Sequence, residues 1–208
     1  GAAPSRNAAP AVTAPAQAAR TLTDAKARLP LILLAYPIPG KGQPGWAEMA
    51  VVASVLGGGR TSRLVQALQM DRGLVVSVDA SVAGFHEADL FIVSAMPAPG
   101  VPADDVRAAV DAELAKVVRD GITPRELGRV RAGLKTSRLN ALQEAEGMAE
   151  SLAEGQARFG DPGFSDKIDA SVQAMDPSAA QGAAARYLVP GNAADLRIVP
   201  PARPGGSR

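Results

Sequence analysis

A single histidine, a complete absence of cysteine and a run of three glycines bear most directly on what chemistry this chain can do. His86 sits in Phe85-His86-Glu87-Ala88-Asp89, with two carboxylates beside it. A catalytic metal centre takes three protein ligands converging on one point. With no second imidazole and no thiolate in the chain, His86 reads as a solvated histidine in a turn. The same shortage leaves little room for a Ser-His-Asp relay. Gly57-Gly58-Gly59-Arg60-Thr61-Ser62 has the glycine backbone of a phosphate cradle ahead of a helix. It lacks the following Lys-Ser/Thr of a P-loop and no strand precedes it, so a helix–helix corner that needs glycine is the better reading. Asp104, Asp105, Asp111 and Glu113 fall along one predicted helix, the first of them where carboxylates complement the helix dipole. Arg125, Arg129, Arg131, Lys135 and Arg138 form a basic face on the next helix. A solvated surface is the first reading of that face, and contact with an acidic partner domain the second.

The 208 residues are 47% apolar and 21% charged with a net charge of +1, the balance of one globular domain. Near-neutrality offers no electrostatic ground for binding nucleic acid. One Trp, two Tyr and four Phe are too few for a base-stacking surface. No run of 18 or more apolar residues is present, so no membrane span is expected. Without cysteine, disulfides, thiolate zinc sites and cysteine nucleophiles are excluded.

The elements that must position these residues follow from periodicity. Residues 1–22, rich in Ala and Pro, read as a flexible linker and suggest an excised fragment; 201–208 read as a tail, and 23–200 as a single domain. Residues 29–36 are nearly all apolar and stop at Pro37 and Pro39, which predicts a strand buried on both faces. Met49, Val52 and Leu56 recur at helical spacing over 46–56, and a second helix is expected over 61–70. Residues 74–83 and 90–96 alternate as a hairpin with its turn at 84–89. A strong helix is predicted over 103–120. Thr123-Pro124-Arg125-Glu126 then reads as a capping box with proline at the first helical position. Further helices are expected over 145–159, 165–175 and 177–188, with a closing strand at 196–199. Strands do not alternate regularly with helices, so the fold class is α+β.

Several strings in this order resemble the C-terminal-type domain of the pitrilysin/insulinase family of zinc metallopeptidases. That family includes mitochondrial processing peptidase and the core subunits of the respiratory bc1 complex. The strings are Leu56-Gly57-Gly58-Gly59-Arg60-Thr61-Ser62-Arg63-Leu64, Arg72-Gly73-Leu74, Gly121-Ile122-Thr123-Pro124-Arg125-Glu126-Leu127, Glu146-Gly147-Met148-Ala149-Glu150 and Arg186-Tyr187-Leu188. The resemblance covers about residues 29 to 200 and implies a mostly antiparallel sheet with helices packed on one face.

Enzymes of that family hold zinc with H-x-x-E-H and a distant Glu on another domain, and the middle Glu serves as base for the zinc-bound water. This chain has no such motif, so the resemblance implies zinc only in a partner half. The C-terminal-type domain itself usually contributes an Arg and a Tyr seven residues apart, donors that polarise the scissile carbonyl. Aligned on Arg72-Gly73-Leu74, Gln69 takes the place of the arginine and Val76 that of the tyrosine; Tyr36 and Tyr187 are not spaced to replace it. Gln69 donates an amide hydrogen bond but carries no charge and no guanidinium fork, and Val76 donates nothing. The expectation is a catalytically inactive domain, not an enzyme by itself, that completes a substrate chamber or docks with an H-x-x-E-H-bearing domain or subunit. Gly58, Gly59 and Arg60 would offer weak peptide contact, because the family's glycine segment faces the chamber. The alternative is a purely structural subunit resembling the bc1 core proteins. Family habit and the Ala/Pro linker favour the bacterial periplasm or cell envelope.

Overall fold

A computed structural model describes residues 19–85, 88–143 and 145–201. The linker and tail expected at the two ends lie outside these bounds except at their inner edges. Ala19–Thr23 forms strand β1, and β2 follows at Leu31–Pro39. Helix α1 spans Trp46–Gly57, a π-helical turn covers Val65–Met70, and the hairpin strands β3 and β4 run Val75–Phe85 and Ala88–Pro97. Then come α2 (Ala103–Asp120), α3 (Pro124–Leu142), α4 (Ala145–Glu154) with a π-helical extension Gly155–Phe159, α5 (Phe164–Ala174), α6 (Pro177–Tyr187) and β5 (Ala194–Val199). The fold is α+β, as expected.

The sheet order is β1-β5-β2-β4-β3. β5/β2, β2/β4 and β4/β3 are antiparallel and β1/β5 is parallel, so the sheet is mixed. Two sequence expectations change here. Residues 19–22, expected as linker, belong to β1; all five of its residues are exposed, so backbone pairing with β5 rather than burial makes it a strand. β2 is not buried on both faces: its residues alternate between buried and half-buried. Ile32, Leu34, Tyr36 and Ile38 point to the helices, while Leu31 and Leu33 share the open face of the sheet with Ile92 of β4. The hairpin turn is also tighter than expected, since β3 reaches Phe85 and β4 starts at Ala88.

α1 is the centre of the core. With Glu48 its sole charged residue, it buries Ala47, Met49, Val51, Val52, Ala53, Val55, Leu56 and Gly57, more than one helical face. It packs on β3 and is enclosed by α3, α5 and α6. Its last turn lies so close to the sheet that a Cβ on Gly57 would stand 2.0 Å from the Ala80 backbone nitrogen. The glycine corner is thus a helix–sheet contact at Gly57, and its turn is made by Gly59 at φ +92°.

Gly57→Ala should therefore force α1 off β3 and cost about 3 kcal/mol or more, because the obstacle is backbone and cannot rotate away. Gly128→Ala, on α3 where an added Cβ meets nothing, should instead stabilise by about 0.5–1 kcal/mol. Urea denaturation of both variants checks the contrast.

Candidate functional site

The region of interest begins where α1 ends. A Cβ on Gly58 would meet the Ser54 carbonyl at 2.4 Å, so two successive glycines are sterically required before the chain turns. Gly58, Gly59 and Arg60 are all exposed. Ser62 then enters the core completely, with no hydrogen-bond partner for its hydroxyl. Arg63 turns the other way. Its Nε and Nη2 donate to the two carboxylate oxygens of Glu126 at 2.6 and 2.8 Å, and Nη2 also donates to the Gly121 carbonyl at 2.9 Å.

Glu126 is the third residue of the capping box. The Glu126 N–H donates to Thr123 Oγ1, and the Thr123 N–H donates back to Glu126 Oε2 at 2.7 Å. One carboxylate thus caps α3 and holds the glycine corner against it. The Arg63 guanidinium, followed by the Thr123 hydrogen bonds, holds the Glu126 carboxyl down at about 2 against the opposing effect of burial. Beside this junction lies a cleft of about 640 Å³ lined by Thr61, Thr123, Arg125, Glu126 and Arg129.

The segment after Arg63 carries Gln69 and Val76, the two positions the sequence resemblance sets against an arginine and a tyrosine. Gln69, on the π-helical turn, donates from Nε2 to the Val76 carbonyl at 2.8 Å. Val76 is the extra residue of a β-bulge, since Val75 faces Pro97 and Ser77 already faces Met96. Gln69 and Val76, seven apart in sequence, are therefore spatial neighbours. The glutamine amide is spent on the backbone of its own partner position, and the valine side chain is 46% exposed. Tyr36 and Tyr187 lie elsewhere. Tyr36 is wholly buried beneath the helices, where desolvation and the nearby Asp111 push its hydroxyl up to about 12. Tyr187 packs against Gly45.

His86 falls outside the described residues. Asp89, expected in the turn, is instead in β4, 3% exposed and accepting the Trp46 indole N–H at 2.5 Å. Gly84 opposite leaves room for its carboxylate. The basic face expected on α3 is only partly solvated. Arg125, Arg129 and Lys135 are exposed, but Arg131 donates to the Val172 and Met175 carbonyls and Arg138 to Ser151 and Asp166. These two arginines tie α3 to α4 and α5, which no spacing within one helix reveals. Asp104, expected as a dipole partner, sits in the first turn of α2 and also pairs with Arg197 of β5 at 2.6 Å.

There is one imidazole and no thiol, and among the described residues no three acidic or imidazole side chains gather. Chemically the site is a glycine corner, a neutral amide and an apolar bulge on an α+β body.

Comparison with known proteins assigns the class. The model of the peptidase M16 inactive domain matches residues 3–134, and the chain belongs to that family. An uncharacterised zinc protease of Streptomyces coelicolor is 29% identical over 167 residues, 77% of this chain and 36% of the relative. One from Mycobacterium tuberculosis is 31% identical over 141 residues, 67% of this chain and 32% of the relative. The chain thus spans about a third of the length of these relatives. Among solved structures, a Helicobacter pylori protease superposes with a TM-score of 0.83 at 16% identity, over 95% of this chain and 48% of the other. The inactive peptidase domain of a candidate zinc protease from Bordetella parapertussis gives 0.77 at 24% identity, over 86% and 95%. A chain of Complex III2 from Candida albicans gives 0.73 at 15% identity, over 88% and 45%.

Because the Glu126 carboxyl titrates at about 2 when folded and near 4.5 when unfolded, its contribution is complete above pH 4.5 and is lost as pH falls toward 2. The loss should be on the order of 2–3 kcal/mol, since each tenfold change in proton affinity is worth about 1.4 kcal/mol and the pair keeps some contact with solvent. Thermal melts from pH 5 to pH 2 should show this fall in the wild type. Glu126→Gln should start lower at neutral pH and lose less on acidification.

Proposed function

We propose that this chain is the non-catalytic part of a two-part zinc peptidase, completing a substrate chamber whose zinc is held by an H-x-x-E-H-bearing domain or subunit. The observation that carries the reading is the Gln69–Val76 pair. Where the related peptidases place an arginine and a tyrosine, this chain offers one uncharged amide already bonded to the Val76 carbonyl and one isopropyl group. Loss of a single carbonyl-polarising donor costs about 10²–10³ in rate in other enzymes. Two missing donors leave a surface that can bind and align a peptide but not activate it.

Peptide contact would fall on Gly58, Gly59 and Arg60, which are exposed at the mouth of the corner and held in place from behind by Gly57 and Arg63. Zinc would supply the Lewis acid and the activated water in the other part of the peptidase, and this chain would supply shape, exclusion of bulk water and one cationic contact. A second reading, a purely structural subunit, is favoured by the fold shared with a Complex III2 chain.

The two readings separate in a reconstituted assay. The chain alone should cleave no peptide in a zinc-dependent manner, and addition of the H-x-x-E-H-bearing part should give cleavage. In that complex Arg60→Glu should raise KM by about three- to tenfold with little change in kcat, the mark of lost uniform binding. An unchanged KM would favour the structural subunit. Robust cleavage by the chain alone would overturn the proposal.

A further inference from the structure

Helix α4 is amphipathic with its apolar face turned outward. None of its ten residues is buried. At about 100° per residue, Ala145, Met148, Ala149, Leu152 and Ala153 share one stripe about 140° wide. Four of these positions follow i, i+3, i+4, i+7, the spacing of a core-facing helix, yet none is in the core; Met148 is 45% exposed and Leu152 46%. Leu139, near the end of the adjoining α3, is 55% exposed.

The polar side of α4 faces the body. Ser151 accepts from Arg138 Nη1 at 2.9 Å and lies 3.3 Å from Ser165 Oγ. Glu154 accepts from Lys41 at 3.3 Å and from Arg158 at 3.0 Å. Gly147 lets the helix start against α3, where a Cβ would meet the Ala141 carbonyl at 2.4 Å. The helix is thus fixed in this orientation by hydrogen bonds, ion pairs and a glycine contact, and its apolar stripe is preformed.

We infer that the α4 stripe is the seat of a contact with the zinc-bearing part of the peptidase, an apolar surface rimmed by basic side chains. The inference rests on the reading above that such a part exists. Two observations select this occupant. The relatives are about three times as long as the stretch this chain spans, so most of a related protease lies outside it. One short helix face with three alanines also presents far less than the ~800 Å² per partner that a stable complex between free molecules takes. A patch of that size suffices where tethering or a larger shared assembly supplies a high effective concentration, as between domains. The exposed Glu146 and Glu150 flank the stripe on one side and set the expected sign of the partner's rim.

Because the chain has no cysteine, Met148→Cys carries its only thiol. Maleimide labelling of that thiol should slow about tenfold or more when the H-x-x-E-H-bearing part is added, while Asp105→Cys on the exposed start of α2 stays within about twofold. Leu152→Glu should weaken association about tenfold, ~1.4 kcal/mol, and leave the melting temperature of the isolated chain unchanged. Association with Met148→Cys still fully reactive and Leu152→Glu without effect would overturn the inference while leaving the proposed function standing. Failure of the wild-type chain to associate at all would remove both. Self-association of the isolated chain in sedimentation, abolished by Leu152→Glu, would overturn the inference in favour of a second copy.

Discussion

The architecture depends on how closely α1 lies against β3. At Gly57 the helix backbone touches the backbone of Ala80, a distance at which any side chain would collide. That approach lets Val51, Val52, Val55 and Leu56 reach zero or near-zero exposure between the sheet and the other helices. It also fixes where the helix must stop. Gly58 is pressed against the Ser54 carbonyl and Gly59 takes a positive φ, so the chain leaves α1 in a single defined direction. Everything downstream inherits that direction: buried Ser62, Arg63 turned toward the start of α3, the π-helical turn and the start of β3.

Arg63 converts a local turn into a long-range constraint. It reaches 63 positions along the chain to Glu126, and its contribution differs from that of the surface ion pairs. The exposed Arg119–Asp120 pair holds two neighbours that are already adjacent, and such pairs are worth roughly 0–1 kcal/mol. Arg63 and Glu126 are about four-fifths withdrawn from solvent, bonded in a fork, and share their remaining capacity with the Gly121 carbonyl and the Thr123 cap. A buried ion pair stabilises a fold only when such extra hydrogen bonds satisfy the charges. Here they do, and the same carboxylate starts α3, so the glycine corner and the longest helix are placed by one group.

The local grammar of the fold is legible in the sequence, and its long-range economy is not. The capping box at Thr123 and Glu126, the α2 boundaries and the hairpin are readable because propensity, capping chemistry and periodicity agree there. β1 escapes such a reading because five exposed residues carry no hydrophobic pattern and owe their conformation to β5. β2 reads as doubly buried because Leu31 and Leu33 are as apolar as their inward neighbours, and composition cannot tell an open sheet face from a covered one. Alignment on Arg72-Gly73-Leu74 singles out Gln69 and Val76 as positions to compare. The bulge that makes Val76 the extra residue, and the amide bond from Gln69 to its carbonyl, emerge only in three dimensions. Arg131 and Arg138 read as surface charge because their acceptors lie 13 to 44 residues away.

These constraints fall on residues other than those at 69 and 76. The strings that betray its family include Gly57 and Gly58, needed for close approach, Arg63 and Glu126, needed for the junction, and Thr123, needed for the cap. None of these jobs involves the residues at 69 and 76. Gln69 and Val76 sit on the rim of the core: the first donates to the Val76 carbonyl and the valine side chain is half exposed. Resemblance carried by structural residues therefore reports the fold faithfully and is silent about catalysis. The domain's glycine corner and its α4 stripe are both held from the inside, the one by Gly57 and Arg63 and the other by Arg138 and Lys41.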